Sequence, residues 1–408
     1  MDLLHKVSSF LYFGYLPHVP SKYLFGLPNG LNCTDLDSRV EKCNSNESEI
    51  IEEGVQIWKD YFQRTDGDLH IIPLSGGLDS RAVLGGLIDA GLKDRIVTIT
   101  FGTPGTLDYE LGRSIAVKLG LSHECIDLTT IEIDQQLLLE TAQNGASWTF
   151  LIDAFYNSLI LKKFGTEAIY WTGYMGDALT GAHLPPSESV SWQEAKRYFA
   201  TWNDFLLSHN LTPPGFTAED HLPPHPFCDQ KHMSYDDQLD FYIRQQCYIR
   251  RVIIPQRIDC RAPFLAPEWI RFILGIPFEY RVNQYIYKKI LLRAYPDLFR
   301  FPTTNMLGLP LSSPLWQLYV RRFLLRGRSL IANFSPKIRW LPIDPRINYI
   351  DFNNSLRDRN DMKTLVQESI RDLKKRGLVD WLDLDSIWQD HQNRRANHGN
   401  ALMLLTAY

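Results

Sequence analysis

Apolar residues recur at helical spacing early in the chain and then change to short runs separated by polar turns. Over residues 49–63 the apolar side chains fall every three or four positions, which predicts an amphipathic helix. The residues before it have no such period, apart from a strand-like piece over 10–15. We therefore assign residues 1–48 to an irregular N-terminal region and begin the main domain at residue 49.

From residue 68 onward, short apolar strands alternate with helical segments. Strands are predicted over 68–74, 96–101, 123–127 and 168–172, and helices over 81–90, 107–119, 133–143 and 150–163. This alternation is typical of an α/β fold in which helices cover both faces of a parallel sheet. Ligands of such folds bind beyond the carboxyl ends of the strands. Both glycine-rich loops, 75–80 and 173–181, directly follow predicted strands.

The second half of the chain is predicted to be mainly helical. Residues 187–233 are rich in proline and histidine, and we interpret them as an insertion with one helix over 192–207. The main domain then runs to about residue 310. Residues 311–408, rich in arginine, leucine and tryptophan, form a helical C-terminal extension to which the sequence assigns no function.

Composition and charge disfavour several classes of partner. The chain is 44% hydrophobic and 22% charged, as in ordinary globular proteins. Its net charge of −4 gives no basis for nucleic acid or an anionic membrane as the main partner. The six cysteines include no CxxC pair, which predicts reduced thiols. His221, His225 and Cys228 are interpreted as loop residues rather than a zinc site, because no second ligand pair follows.

The N-terminus lacks the features of a targeting segment. Residues 1–16 are apolar but interrupted by Asp2, His5 and Lys6, and no basic start or small-residue cleavage site is present. No run reaches the roughly eighteen apolar residues that a membrane helix needs. The sequence therefore predicts a cytoplasmic protein without a membrane partner.

The strongest chemical signal is the hexapeptide SGGLDS at residues 75–80, between a predicted strand and a predicted helix. Its two glycines let a ligand approach the backbone closely. The start of a helix presents free N–H groups and a partial positive charge. The loop therefore predicts a phosphate site. It lacks the Lys-Ser/Thr ending of a Walker loop and the third glycine of the dinucleotide-binding fingerprint.

A carboxylate inside a phosphate-binding loop requires a compensating cation. Asp79 would repel a phosphate on its own, so the sequence predicts Mg²⁺ bridging Asp79 and a polyphosphate. The alternative is an ordinary turn in which Asp79 or Ser80 caps the following helix.

SGGLDS resembles the pyrophosphate-binding loop of the N-type ATP pyrophosphatases, which include GMP synthetase, argininosuccinate synthetase, tRNA lysidine synthetase and asparagine synthetase. The resemblance implies an adenine nucleotide alpha hydrolase-like core that cleaves ATP between the α- and β-phosphates. It also implies ATP and Mg²⁺ as cofactors. The residues that it assigns to the nucleotide are Leu74, Ser75, Gly76, Gly77, Leu78, Asp79, Ser80 and Gly173.

Further segments resemble the asparagine synthetase branch of that superfamily. Residues 103–124 resemble its second helix and the following "LGT-HHE" strand start, and 172–181 (TGYMGDALTG) resemble its "SGEGxDExFGG" loop. Residues 261–265 (RAPFL) and 289–293 (KILLR) resemble "RxPFLD" and "KxxLR". The order and spacing match over residues 50–310.

This resemblance implies a ligase that converts a carboxylate into an acyl-adenylate for attack by an amine or ammonia. Asp79 and Asp177 would then hold Mg²⁺ on the departing pyrophosphate. Lys289 would stabilise negative charge on the phosphate or on the tetrahedral intermediate, and Lys288 takes that role if the alignment shifts by one residue.

The second loop departs from the family at two positions. Tyr174 and Ala178 stand where the family has glutamates. A tyrosine at the first position resembles β-lactam synthetase, in which a Tyr paired with a Glu acts as base for the attacking amine. Tyr174 is therefore either a catalytic base or an aromatic wall of the pocket. The candidate carboxylates to polarise it are Glu188, Glu194 and Asp229.

The N-terminal region departs from the family as well. Asparagine synthetases begin with a glutaminase domain whose nucleophile is a cysteine at residue 2, whereas this chain has Asp2. Only residues 12–30 resemble the last hairpin of that domain, so we interpret residues 1–48 as its remnant. The resemblance then implies a small-molecule or peptide carboxylate as one substrate. The nucleophile is free ammonia, ammonia from a separate amidotransferase or pathway partner, or an amine on a substrate.

Two alternatives remain open. One is a catalytically degenerate family member that acts as a partner in a biosynthetic complex. The other is an ATP pyrophosphatase acting on tRNA, which the acidic charge and the absence of a basic stripe disfavour.

Overall fold

The centre of the fold is a five-stranded sheet with the strand order β3-β2-β1-β4-β5. The computed structural model describes residues 2–18, 46–207, 209–254, 259–334 and 343–407. All four strand pairs of this sheet are parallel. The predicted α/β class with a parallel sheet and helical C-terminal additions is therefore confirmed. The strands are β1 His70–Pro73, β2 Ile96–Gly102, β3 Ser122–Asp127, β4 Ile169–Trp171 and β5 Cys260–Arg261.

Helices flank the sheet and make up most of the second half of the described chain. Those up to residue 253 are α1 Leu3–Phe13, α2 Glu47–Phe62, α3 Asp79–Asp89, α4 Leu107–Leu119, α5 Gln135–Thr141, α6 Tyr156–Phe164, α7 Gly176–Leu179, α8 Trp192–Trp202, α9 Tyr235–Leu239 and α10 Arg250–Ile253. The later ones are α11 Pro267–Gly275, α12 Phe278–Arg281, α13 Tyr285–Ala294, α14 Pro296–Phe299, α15 Leu315–Phe334, α16 Phe352–Asp358, α17 Asn360–Arg376, α18 Leu384–Gln392 and α19 Gly399–Leu405. A short hairpin, β6 Pro302–Thr303 and β7 Leu309–Pro310, lies between α14 and α15.

Successive residues of β1 face two different hydrophobic cores, as the period of two in a strand requires. Ile71 packs into a first core that includes residues of α1, α6, α8, α17 and α19. Ile72 packs into a second core that includes residues of α2, α3, α11 and α13. Because both faces of the sheet are covered, its strands contain consecutive apolar residues.

The N-terminal segment is a helix and not the strand predicted over residues 10–15. Asp2 caps it by accepting a hydrogen bond from the backbone N–H of His5 at 2.7 Å, and Gly14 ends it with φ +76°. Val7, Phe10 and Leu11 are buried, and their spacing is that of one helix face. Tyr12, the first residue of the hairpin expected from the glutaminase resemblance, is thus helical. Residues 19–30 of that hairpin lie outside the described residues.

Several predicted helices are shorter than expected. The segment predicted over 150–163 is helical only from Tyr156 onward, after a short 3-10 turn. The helix predicted over 192–207 ends at Trp202. There the backbone N–H and the side-chain amide of Asn203 both donate to the carbonyl of Phe199 at 2.9 Å, and Asn203 is the C-terminal cap of the helix.

The C-terminal extension, to which the sequence analysis assigned no function, reaches the carboxyl end of β2. Leu107 donates its N–H to the carbonyl of Pro345 at 2.8 Å, and the hydroxyl of Thr103 donates to the carbonyl of Tyr349 at 2.6 Å. The ring of Tyr349 stacks near that of Phe101, with 6.0 Å between their centroids. Residues from the extension therefore form part of the wall above the edge of the sheet where ligands are expected.

Candidate functional site

The two glycine-rich loops meet at the carboxyl ends of the adjacent strands β1 and β4. A Cβ atom at Gly173 would lie 2.7 Å from the Cβ of Asp79, and one at Gly176 would overlap the carboxyl group of Asp79. Glycine at these two positions is therefore what allows the loops to touch. The structure thus brings together the two segments that the sequence analysis singled out separately.

The first loop is held in shape by its own hydroxyl groups. Ser80 accepts a hydrogen bond from the N–H of Ser75 at 3.2 Å, and Ser75 accepts one from the N–H of Gly77 at 3.1 Å. α3 then starts at Asp79, so its first N–H groups lie at this loop. The result is a turn whose donors are gathered at the start of a helix, as a phosphate site requires.

A buried arginine fixes the loop to the body of the protein. The guanidinium of Arg81 donates to the carbonyl of Gly76 at 2.8 Å and to the carbonyl of Phe301 at 3.2 Å. The N–H of Thr304, beside the β6–β7 hairpin, donates to the same Gly76 carbonyl at 2.9 Å. The sequence analysis missed both contacts, because neither Arg81 nor the hairpin belongs to a recognisable motif.

Asp108 is a third carboxylate at the site, and the sequence analysis missed it as well. It lies in the first turn of α4 and accepts a hydrogen bond from the N–H of Gly76 at 3.1 Å. Burial raises its pKa, which hydrogen bonds from Gly76 and Thr304 and the charge of Arg81 oppose. A phosphate on this loop would have to take the Gly76 donor from Asp108. Its position after β2, at the ligand-binding edge of the sheet, was the signal that could have identified it.

Asp79 and Asp177 form a close pair of carboxylates. Burial, followed by the negative charge of Asp177, raises the pKa of Asp79 well above its usual range. Asp79 accepts a hydrogen bond from the hydroxyl of Tyr287 at 3.0 Å, and Asp177 accepts one from the side-chain amide of Gln284 at 3.1 Å. Two neighbouring carboxylates that repel each other, one of them partly desolvated, are stabilised by a divalent cation between them.

The donor set fits Mg²⁺ better than a metal held by protein alone. The described residues include no group of three histidine, cysteine or acidic side chains placed to hold a metal ion. Mg²⁺ commonly takes one or two carboxylates and completes its octahedron with water and phosphate oxygens. Asp79 and Asp177 are therefore the residues that would hold it, together with a bound polyphosphate.

The two neighbouring lysines of α13 have different surroundings. Lys289 donates to the hydroxyl of Tyr285 at 2.6 Å and pairs with Glu47, and these two groups raise its pKa. Burial lowers the pKa of Lys288, and the charge of Asp177 acts on it in the opposite direction. The structure thus directs Lys289, the residue expected from the resemblance, to Glu47 at the surface. Lys288, the alternative, donates to the carbonyl of Asn283 at 2.7 Å and is the lysine on which the charge of Asp177 acts.

Tyr174 lies inside the protein. Its side chain is 2% exposed, and its hydroxyl donates to the backbone carbonyl of Gln245 at 3.0 Å. Burial raises its pKa well above the usual range, which opposes the loss of its proton. None of the carboxylates expected to polarise it is its partner: Glu188 accepts from Gln230, Glu194 accepts from the N–H of Val190, and Asp229 pairs with Lys231. Of the two alternatives for Tyr174, this geometry favours the aromatic wall over the catalytic base.

We expect Tyr174→Phe to change the reaction rate little and to lower stability. The substitution removes a buried hydrogen bond to the carbonyl of Gln245, which keeps the N–H of Arg250 as a donor, and this loss costs about 1 kcal/mol. Thermal unfolding and steady-state kinetics on the same preparations measure the two effects. A loss of turnover of about a hundredfold with unchanged stability would instead assign the phenol to general-base catalysis.

A cavity of about 330 Å³ opens beside the two loops, which is within the size range of small-molecule sites. Its walls come from the ends of β1, β2 and β4 and from the C-terminal extension. The lining residues include Leu74, Ser75, Phe101, Asp108, Thr172, Gly173, Asp177 and Tyr349. The cavity therefore has apolar and aromatic walls on one side and the loop donors and carboxylates on the other.

Comparisons with known proteins add little to this geometry. No protein-family model matches the chain, and no curated protein is similar to it. Among solved structures, the chain is similar to the NH3-dependent NAD synthetase from Campylobacter jejuni subsp. jejuni NCTC 11168, determined in complex with the nitrate ion. The match has 16% sequence identity and a TM-score of 0.23, and it covers 33% of this chain and 60% of that one. This degree of similarity is too low to support a statement about fold or function.

Proposed function

We propose that the chain is an ATP-dependent ligase that activates a carboxylate as an acyl-adenylate for attack by an amine or ammonia. The single observation that carries the proposal is the contact between the SGGLDS loop and the 173–180 loop through Asp79, Gly173 and Gly176. This contact gathers phosphate donors and two carboxylates at the ligand-binding edge of a parallel sheet.

In the proposed reaction, an oxygen of the substrate carboxylate attacks the α-phosphorus of ATP, and the bond to the β-phosphate oxygen breaks. The N–H groups of the loop around Gly77 and the hydroxyls of Ser75 and Ser80 bind the pyrophosphate that leaves. Mg²⁺ held by Asp79 and Asp177 would neutralise charge on that leaving group. The amine then attacks the acyl carbon, and the carbon–oxygen bond to AMP breaks.

Lys288 is placed to bind negative charge that develops in these steps. Its Nζ donates to the carbonyl of Asn283 at 2.7 Å, and the negative charge of Asp177 acts on its ammonium and raises its pKa against the effect of burial. Phe101 and Tyr349 line the cavity with aromatic rings, which would shield the acyl-adenylate from hydrolysis. A group other than Tyr174, on the substrate or on the protein, accepts the proton that the amine loses.

An ATP–pyrophosphate exchange assay tests this function. Purified chain, Mg²⁺, ATP and labelled pyrophosphate are incubated with a panel of carboxylic acids, with and without amines. We expect label in ATP only in the presence of a suitable acid, because the exchange reports reversible formation of the acyl-adenylate. A chain that binds no nucleotide in the presence of Mg²⁺ would refute the proposal.

A second candidate is a nucleotide-binding partner protein without catalysis. Three observations favour it: Asp108 occupies the Gly76 donor, Lys289 is paired with Glu47, and the hydroxyl of Tyr174 donates to a backbone carbonyl. This candidate predicts ATP binding without exchange for every acid tested. The exchange assay run beside a direct binding measurement therefore separates the two functions.

A further inference from the structure

The helix α15 exposes a row of large apolar side chains. Trp316 is 64% exposed, Phe323 77% and Leu330 70%. Along the helix these side chains recur every three or four positions, so they share one face. The full set is Leu315, Trp316, Tyr319, Val320, Phe323, Leu324, Leu330 and Ile331. An apolar patch of this extent on a folded chain marks an interaction site.

The opposite side of α15 is fixed to the protein, so the outward direction of this face is set by the fold. Leu318 is 6% exposed and belongs to the second core. Arg321 donates to the carbonyl of Leu307 at 2.6 Å, and Arg328 pairs with Asp344 at 3.3 Å. Because α15 already contacts its own protein through the opposite side, its apolar face points outward.

The charge on α15 has one sign. Residues 315–334 contain four arginines and no acidic residue, although the whole chain has a net charge of −4. At about 100° per residue, Arg322 and Arg326 lie along one border of the apolar face, and Arg321 and Arg328 along the other. Basic residues thus flank the exposed apolar face on both sides.

We propose that α15 docks the protein onto an anionic lipid surface. A helix with aromatic and aliphatic residues on one face and arginines along its borders lies in the plane of the bilayer interface, with the apolar face among the acyl chains. Arg322 and Arg326, which are both exposed, then contact the phosphates of the headgroups, and Trp316 and Tyr319 fit the interfacial layer. None of the helices in the described part of the chain has the length and apolar character needed to span a bilayer.

A second copy of the chain fits this face less well. Two such faces in contact would bring their arginine borders together, and α15 contains no carboxylate to offset that repulsion. The low net charge of the chain had disfavoured a membrane partner in the sequence analysis. The net charge did not reveal the local concentration of basic residues on α15, because acidic residues elsewhere in the chain offset their charge.

The docking surface adjoins the candidate site. The guanidinium of Arg322 is close enough to Lys288 for its charge to lower the pKa of that lysine. A protein bound through α15 would therefore hold the site near the lipid headgroups. This consequence rests on the proposed function, whereas the docking itself does not.

Vesicle flotation with the full chain tests the proposal. The probes are vesicles of phosphatidylcholine and phosphatidylglycerol in equal parts, and vesicles of phosphatidylcholine alone. We expect binding to the mixed vesicles that weakens as salt is added. Phe323→Glu should lower the partition coefficient by about 100-fold. It removes a ring that the bilayer would bury and adds a negative charge that the anionic headgroups repel. Arg326→Gln should lower it by about fivefold, because it removes one headgroup contact.

Val190→Glu is the matched control, because Val190 is 84% exposed and belongs to the insertion rather than to α15. It should bind vesicles as the unmodified chain does, and near-UV circular dichroism should show the fold of all variants unchanged. The proposal is overturned if the chain binds neither vesicle, binds both equally, or loses nothing with Phe323→Glu. It is also overturned if the chain is dimeric without lipid and Phe323→Glu makes it monomeric, which would assign the face to a second copy.

Discussion

Replacing Asp79 by asparagine is expected to reduce ATP–pyrophosphate exchange by about a hundredfold or more, because charge stabilisation of the leaving group is lost. Asparagine has nearly the same shape and can still accept the hydrogen bond from Tyr287, which reaches Asp79 at 3.0 Å. It cannot supply the charge that Mg²⁺ needs. The measurement is the exchange rate at saturating acid, together with the Mg²⁺ dependence of ATP affinity.

The same variant should be more stable than the unmodified chain in the absence of Mg²⁺. The pKa of Asp79 is raised by burial and by Asp177, so the fold disfavours the ionised form. That penalty is present above the raised pKa and disappears as the pH falls towards the ordinary range of an aspartate. We therefore expect a higher unfolding temperature for Asp79→Asn at neutral pH, with a difference that narrows in acid.

A matched control is Asp94→Asn, since Asp94 is an exposed carboxylate in the turn before β2. It should change neither the exchange rate nor the pH dependence of stability. If Asp79→Asn exchanged label at the rate of the unmodified chain, Asp79 would have no part in the reaction. The opposite combination, lost exchange with lower stability, would indicate a structural role for the carboxylate.

Lys288→Met should reduce exchange on the order of a hundredfold, whereas Lys289→Met should change it by less than about threefold. The two substitutions remove the same charge from adjacent positions of α13, so each serves as the control for the other. The negative charge of Asp177 stabilises the ammonium of Lys288, while Lys289 pairs with Glu47 at the surface. Exchange rates at saturating ATP and apparent ATP affinities for both variants make the comparison.

If Lys289→Met reduced exchange more than Lys288→Met, the result would support the resemblance-based assignment of Lys289 to the phosphate. It would require Lys289 to leave Glu47 when ATP binds. Glu47→Gln then provides a further measurement, because freeing Lys289 should increase activity only if Lys289 is the residue that acts. If both substitutions changed the exchange rate equally and only slightly, Mg²⁺ and the loop donors would be the groups that stabilise charge on the phosphate.

The hydrophobic pattern alone determined the class of the fold. Short apolar strands such as 96–101, separated by helical segments such as 107–119, predicted the parallel sheet because strands buried on both faces must be apolar along their length. The same local logic identified SGGLDS, since a phosphate turn needs its glycines and the helix start within a few residues. It failed at the N-terminus, where one helix face and a short strand give similar patterns over six residues.

The tertiary structure alone decided which side chains meet. The approach of Asp79 to Gly173 and Gly176 joins segments about a hundred residues apart, and Asp108 enters the site only because β2 lies beside β1 in the sheet. The rotation of α13 about its axis decides which of the two adjacent lysines lies near Asp177. The order of polar residues in the sequence does not specify that rotation. Similarly, the outward direction of the apolar face of α15 follows from contacts on its other side. The sequence by itself determines local conformation and chemical type, because these depend on near neighbours, whereas the geometry of a site depends on packing between distant segments.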